Sequence, residues 1–236
     1  MPSSPSKKKT TLAIPISPEN RSFFYRFRKL RMYGAWFFVS VLAIFARSTN
    51  LGFFIATPFI VLGEAIRIWS HGYLRKSREL ATSGPYAYVR NPLYVGNFLI
   101  GFGFCLVIFH PVVLSVFVAG FFLVYWVTVK GEEERLALKF KEAYEHYTNQ
   151  VPRFIPRLRP YQGRQEKAFQ LHRVWGHGEY ITILAIMGLF LVLYLRQEFY
   201  QNHNPLTMMF VMGVISAAGI GLLLLLAIGF RYFKFQ

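Results

Sequence analysis

The chain has 236 residues, of which 54% are hydrophobic and only 16% charged, with 27 Lys and Arg against 11 acids and a net charge of +16. A mean hydropathy of +0.32 and several apolar runs of bilayer-spanning length make lipid the solvent for most of it, which excludes a soluble α/β enzyme, a disordered protein and a secreted disulfide scaffold. Every acid is a Glu, so Asp-dependent phosphoryl-transfer sites and aspartic dyads are excluded too, and the single cysteine, Cys105, allows neither an intrachain disulfide nor a Cys-rich metal site.

In chain order, residues 1–30 read as a disordered basic tail, rich in Ser, Pro and Lys and carrying Lys7-Lys8-Lys9, with no apolar stretch of signal-peptide length. Six candidate membrane helices follow, at 32–46, 51–66, 93–109, 112–129, 181–195 and 206–230. The first, second and fifth are short by the standard of about 20 residues and suit helices supported by their neighbours. The expected fold class is all-α, a multi-pass transmembrane bundle of about six helices. With a cytosolic amino terminus, Arg47 and Arg196 are the only ones of the 27 basic residues that fall outside. That asymmetry obeys the positive-inside rule and predicts both termini in the cytosol, in a bacterial inner membrane or a eukaryotic endomembrane. Topology and anionic headgroups then account for the charge, so the expected partners are membrane lipids and no nucleic acid.

Two polar segments, 67–90 and 130–180, leave the same face and are where chemistry is expected. The first ends Gly84-Pro85-Tyr86-Ala87-Tyr88-Val89-Arg90-Asn91-Pro92-Leu93-Tyr94-Val95-Gly96. Gly84-Pro85 signals a turn, Pro92 pre-sets a first helical turn, and Asn91 is a natural N-cap. Tyr86, Tyr94 and Arg90 give this helix mouth aromatic faces and a positive charge, suited to a carboxylate, a phosphate or an adenine ring. An interfacial belt of Tyr and Arg accounts for the same residues. Gly96, Gly101 and Gly103 mark close helix packing, with the polar Asn97 among them.

The second segment opens Lys130-Gly131-Glu132-Glu133-Glu134-Arg135-Leu136. Leu136, Phe140, Ala143, Tyr144, Tyr147 and Val151 recur at helical spacing and predict an interfacial helix with one apolar face. Glu132, four residues before Leu136, is expected on the buried side, while Glu134, Arg135, Lys139 and His146 face solvent. A carboxylate turned inward at the end of a membrane helix needs a partner, so Glu132 is the functional candidate and Glu133 the lesser one. Val151-Pro152-Arg153-Phe154-Ile155-Pro156-Arg157 is too rich in Pro for a helix and predicts an extended basic strap over the preceding elements. Glu64 and Arg67, three apart, read as an intrahelical pair. His71, His146, His172 and His177 lack a shared metal-ligand pattern, and Cys105 reads as a packing residue.

Together, the 84–96 motif and the later Glu132-Glu133, Leu136, Phe140, Tyr144, Tyr147 and 151–156 motif, in order and two spans apart, resemble the isoprenylcysteine carboxyl methyltransferase and phospholipid methyltransferase superfamily of integral membrane methyltransferases. The resemblance covers roughly residues 60 to 157. It implies a helical bundle with a cytosolic-side cofactor pocket for S-adenosylmethionine and a lateral opening for a lipophilic acceptor, an isoprenylcysteine-like carboxylate, a lipid amine or another small lipid. Carried over, it implies that Tyr86, Asn91, Pro92 and Tyr94 line the cofactor, that Glu132 contacts it, and that Arg78, Glu79, Leu80 and Ala81 touch it from upstream; the charge at the helix mouth adds Arg90 to the cofactor-binding candidates. Glu132, Glu133 and Tyr94 are the catalytic candidates, since an amine or thiol acceptor must first lose a proton. The chain then divides into a tail at 1–30, a membrane methyltransferase core at 31–160, and a basic linker with two further membrane helices at 161–236.

Two positions depart from the pattern. The isoprenylcysteine enzymes have His where this chain has Asn91, which cannot titrate near neutrality. The arginine they use to engage the acceptor carboxylate falls on Thr128, with Lys130 nearby only as a point charge. The alternatives are an NADPH-dependent enzyme like the membrane sterol reductases, whose last helices are similar, and a non-enzymatic scaffold that kept the fold.

Overall fold

In a computed structural model, the structure describes Gly34, residues 48–75 and residues 79–202, the side chains of 199–202 excepted. The expected spans at 32–46 and 206–230 lie outside the described residues, save that Gly34 is helical. The described residues form α1 (Asn50–Tyr73), a short 3-10 turn (Gly84–Ala87), α2 (Pro92–Ile108), α3 (Pro111–Phe140), α4 (Glu142–Gln150), α5 (Leu171–Gly176) and α6 (Glu179–Asn202). There is no strand among them, as the all-α expectation required. Among the described residues, three helices are long and apolar enough to cross a membrane, at Asn50–Tyr73, Pro111–Phe140 and Glu179–Glu198, with Pro92–Ile108 a shorter apolar helix. The chain is an integral membrane protein.

Thr49 caps α1, its side chain accepting from the Gly52 amide at 3.0 Å. The helix runs past the expected boundary at 66 because its last turn has partners: Ser70 and His71 are buried, and the Leu74 amide closes the end on the carbonyls of Ser70 and His71. Pro92 and Pro111 each occupy the first turn of their helices, where a missing N–H costs nothing. The expected separate helix beginning near Lys130 is corrected. Gly131 sits buried inside α3 and does not interrupt it, and the break falls at Lys141, whose φ of 46° lies in the left-handed region. Every amide of the intervening residues already has an i−4 carbonyl, so nothing ends the helix before that point.

α1 and α2 pack through small residues. A Cβ on Gly52 would meet the Val107 carbonyl oxygen at 2.5 Å, and one on Gly63 the Gly96 carbonyl oxygen at 2.7 Å. Phe53, Ala56, Ile60, Phe104, Val107 and Leu193 form the apolar core around this seam and join α6 to it. The C-terminal ends of α1 and α3 and the N-terminal ends of α2 and α6 gather at one end of the bundle. A second core caps that end, built from Ala87, Tyr144, Tyr147, Val151 and Tyr161 with Leu80, Leu136 and Phe140 packed on it.

Residues 151–170 form the extended strap. It hydrogen-bonds backward along the segment before α2, the Arg90 amide donating to Pro152 and the amides of Arg157 and Tyr161 to Tyr88 and Ala87. It ends with the Gln170 amide on the Gly72 carbonyl at 3.1 Å. Prolines leave this segment too few donors for a helix, and pairing with a neighbouring backbone satisfies those that remain.

Candidate functional site

The strap, the turn before α2 and the end of α3 bring the motif residues together. Glu133 is the hub. Arg153 clamps its carboxylate from the strap, Nε lying 3.0 Å and Nη2 2.6 Å from Oε2, while Arg90 Nη1 approaches Oε1 at 3.6 Å. The Asn91 amide donates to Glu133 Oε1 at 3.4 Å and to the Arg153 carbonyl at 3.3 Å. The Arg153 guanidinium lies over the Trp126 ring, 5.0 Å from its centroid.

Two expectations are corrected here. Asn91 holds the N-cap position, yet its side chain makes no capping bond because Glu133 and the strap engage it instead. Glu132 and Glu133 exchange environments: Glu133 is buried, whereas the Glu132 side chain is 41% exposed and, among the described residues, pairs with Arg135 at 3.9 Å. Residues i−3 and i−4 both border the stripe of Val129, Leu136 and Phe140. At 100° per residue Glu133 lies about 40° from its centre and Glu132 about 60° to the other side, so spacing hardly separates them. The position of Arg153 and Asn91 does.

Tyr86 is buried beneath this hub, and its hydroxyl has no hydrogen-bond partner among the described residues. Its own carbonyl accepts from the Tyr147 hydroxyl at 2.6 Å. Burial first, then the neighbouring Tyr147, Glu132 and Tyr94, push its phenol far above the ordinary tyrosine range. Tyr86, Tyr94 and Glu132 therefore share one electrostatic neighbourhood. Arg90 Nε is a second buried group without a partner among the described residues.

Tyr94 meets Tyr125 of α3 edge to face, with ring centroids 4.8 Å apart. Pro92 is fully buried at the first turn of α2. Arg78 lies outside the described residues. Glu79 is committed to Arg75, at 2.9 Å, and to Lys167 of the strap. Leu80 packs on the capping core and Ala81 is half-buried beside it. Thr128 bonds back to the Val124 carbonyl at 2.9 Å. A cleft of about 420 Å³ opens elsewhere, between the strap and the 3-10 turn, lined by Tyr73, Ser83, Gly84 and residues 164–168, and includes none of Tyr86, Tyr94 or Glu132.

The expected intrahelical pair of Glu64 and Arg67 is present but loose, at 3.7 Å, and Arg67 has a tighter partner in Glu179 of α6, Nε donating to Oε1 at 2.6 Å and Nη2 to Oε2 at 2.8 Å. Sequence reasoning missed Glu179, although the rule that flagged Glu132, a carboxylate at the end of a membrane helix, applies to it equally.

The buried tyrosines give a pH prediction. Burial, with Glu133 adding to it and Arg90 opposing, pushes Tyr144 from 10 up to about 12. A phenol whose folded pKa is raised favours its protonated form in the fold. Its contribution is intact below pH 10 and is lost as pH rises toward about 12. The expected result is cooperative alkaline unfolding in that window, with Tyr144→Phe moving the midpoint upward. Phenolate absorbance followed beside circular dichroism checks it, and the account fails if every tyrosine ionises near pH 10 with the helices intact.

The family model described as phospholipid methyltransferase matches residues 36–143. Among curated proteins, the chain is 33% identical over 142 residues to the nickel-cobalt-cadmium resistance protein NccN of Alcaligenes xylosoxydans xylosoxydans, covering 54% of this chain and 64% of that one. It is 35% identical over 115 residues to the cobalt-zinc-cadmium resistance protein CzcN of Cupriavidus metallidurans, covering 48% of this chain and 52% of the relative. The alignments thus span between half and two thirds of these relatives' length. No solved structure matches. Through residues 36–143 the chain matches the phospholipid methyltransferase family, consistent with the isoprenylcysteine and phospholipid methyltransferase superfamily.

Proposed function

We propose that this chain is an S-adenosylmethionine-dependent methyltransferase acting on a lipophilic acceptor that reaches it from the bilayer. The observation that carries the reading is the convergence, at one end of the bundle, of Tyr86, Arg90 and Tyr94 with Glu132 beneath a strap latched to Glu133. The residues fit the cofactor: the Tyr86 hydroxyl and Arg90 Nε are buried without partners among the described residues, and a phenol and a guanidinium suit its hydroxyls and carboxylate. Glu132, half-exposed, suits its ammonium or ribose.

When bound, S-adenosylmethionine supplies an electrophilic methyl group on a sulfonium. The chain's part is to orient it and keep water out, because an in-line displacement gains most from positioning. Tyr94 offers an aromatic face to a cation. The strap is paired with the backbone of Ala87, Tyr88 and Arg90 beside the mouth. Glu133, held by two arginines and an amide, is a latch in this reading and no longer a base. Glu132 is then the group placed to take a proton from an amine or thiol. With Thr128 turned to its own helix, the reading favours a lipid amine or other small lipid over a prenylcysteine carboxylate. The metal resistance named for the relatives supplies a setting for this chemistry, tested by metal tolerance of a deletion strain complemented with wild type or Glu132→Gln.

The direct test is equilibrium binding of S-adenosylmethionine, with NADPH in parallel, to the full chain in nanodiscs. Micromolar binding is expected, lost in Glu132→Gln and Tyr94→Ala. Wild type that binds NADPH and no S-adenosylmethionine sinks the proposal in favour of a reductase, and binding of neither points to a scaffold.

A further inference from the structure

Among the described residues, a set of buried polar groups outside the mouth lies where α1, α2 and α6 meet. Arg67 is its centre. Its Nε and Nη2 grip both oxygens of Glu179, whose side chain is 1% exposed. Nη2 also donates to Thr182 Oγ1 at 3.1 Å, and Nη1 donates to the Asn97 side-chain oxygen. His71 Nδ1 stands 2.7 Å from Glu179 Oε2. A guanidinium fork held bidentately by a carboxylate has one orientation, so Glu179 fixes where the remaining N–H points.

The consequence runs along α2. Asn97 gives its oxygen to Arg67 and so must present its NH₂ on the other side, where it donates to the Tyr125 hydroxyl at 3.3 Å. Tyr125 in turn packs edge-on against Tyr94, at 4.8 Å and 64°. Gly63 and Gly96 admit this route. A Cβ on Gly96 would meet Arg67 Cγ at 2.6 Å, so the arginine passes over Gly96 to reach Asn97. A carboxylate in a membrane helix is retained only where it is paired, and this one is paired with Arg67 and His71 of α1.

We propose that Glu179 is a positioning residue: acting through Arg67, Asn97 and Tyr125, it holds the Tyr94 ring in the orientation that the candidate cofactor mouth uses. The inference rests on the methyltransferase reading for what Tyr94 does, but not for whether Tyr94 is held. It makes α6, which lies beyond the residues the family model matches, a working part of the site. Glu179, Thr182 and Asn97 occupy the Arg67 guanidinium from three sides, so the role assigned to the network is to set geometry.

The test places 3-fluorotyrosine at position 94 of the full chain in nanodiscs and records its ¹⁹F resonance without cofactor. One narrow line is expected in wild type and in Glu145→Gln, which removes an exposed acid from α4. Glu179→Gln should shift and broaden it. Tyr125→Phe, which keeps the ring and removes the hydroxyl that accepts from Asn97, should do the same, and serves alone if Glu179→Gln fails to fold. In both variants S-adenosylmethionine binding should weaken by about tenfold or more. A ¹⁹F line unchanged in Tyr125→Phe, or cofactor affinity unchanged in either folded variant, overturns the positioning role. Absence of cofactor binding in wild type overturns the methyltransferase reading instead, and the ¹⁹F line still reports whether the network holds Tyr94.

Discussion

Glu133→Ala should release the strap, and Glu132→Ala should not. Glu133 is buried between Arg153, Arg90 and Asn91, so deleting its carboxylate leaves two guanidinium groups facing each other without an anion. Breaking a fully buried pair costs about 3–5 kcal/mol. The Arg153 side chain is 31% exposed, and water screens part of that, which brings the expected loss to about 2–3 kcal/mol. The bonds from Arg90 to Pro152 and from Arg157 to Tyr88 run beside the latch, so residues 151–161 should detach together and become sensitive to protease. Glu132 makes one loose surface pair, and its removal should change stability by less than about 0.5 kcal/mol while abolishing cofactor binding. Thermal unfolding in detergent and limited proteolysis separate the two. Equal melting temperatures for the two variants would mean that Glu133 is no latch.

The split between these neighbours shows where sequence reading stops. Apolar runs, prolines and the charge asymmetry are local quantities. They locate α1, α2, α3 and α6 to within a few residues at most ends, and the Pro-rich composition of 151–157 is enough to expect a strap. Whether Glu132 or Glu133 turns inward depends on a guanidinium 20 residues later, which no helical phase contains. Asn91 is similar. Its residue type and place predict a cap, and only the tertiary competitor explains why the side chain leaves it.

The same limit hid Glu179. Spacing on α1 gives Arg67 its loose partner at Glu64, while its tight partner lies 112 positions away. The signal was present as an acid opening an apolar run, preceded by Gly178 at a φ of 77° that turns the chain into α6. The resemblance could not supply it either, since it ends near residue 157. What the family pattern did supply was the company of Tyr86, Tyr94 and the two glutamates, which composition left open between a cofactor mouth and an interfacial belt.

Gly96→Ala tests how the seam and the site depend on one another. A Cβ there would stand 2.6 Å from the Gly63 carbonyl oxygen and 2.6 Å from Arg67 Cγ. The side chain can swing away, but a carbonyl held in a helix moves only with its helix, so α1 and α2 must separate. Overpacking of this kind costs about 1–3 kcal/mol, and in a membrane, where close backbone approach is itself a driving force, the upper end is expected. The separation also carries Arg67 away from Asn97, one residue beyond the mutated glycine, and so loosens Tyr94. Gly120→Ala is the matched control. That glycine lies mid-α3 with nothing within 4 Å of a new Cβ, and the substitution should stabilise the helix by up to about 1 kcal/mol. Gly96→Ala should therefore lower the melting temperature and S-adenosylmethionine affinity together, while Gly120→Ala raises the first and leaves the second. A Gly96→Ala protein with wild-type stability would mean that the two helices do not cross at Gly63 and Gly96, and the route from Glu179 to Tyr94 would fall with that crossing.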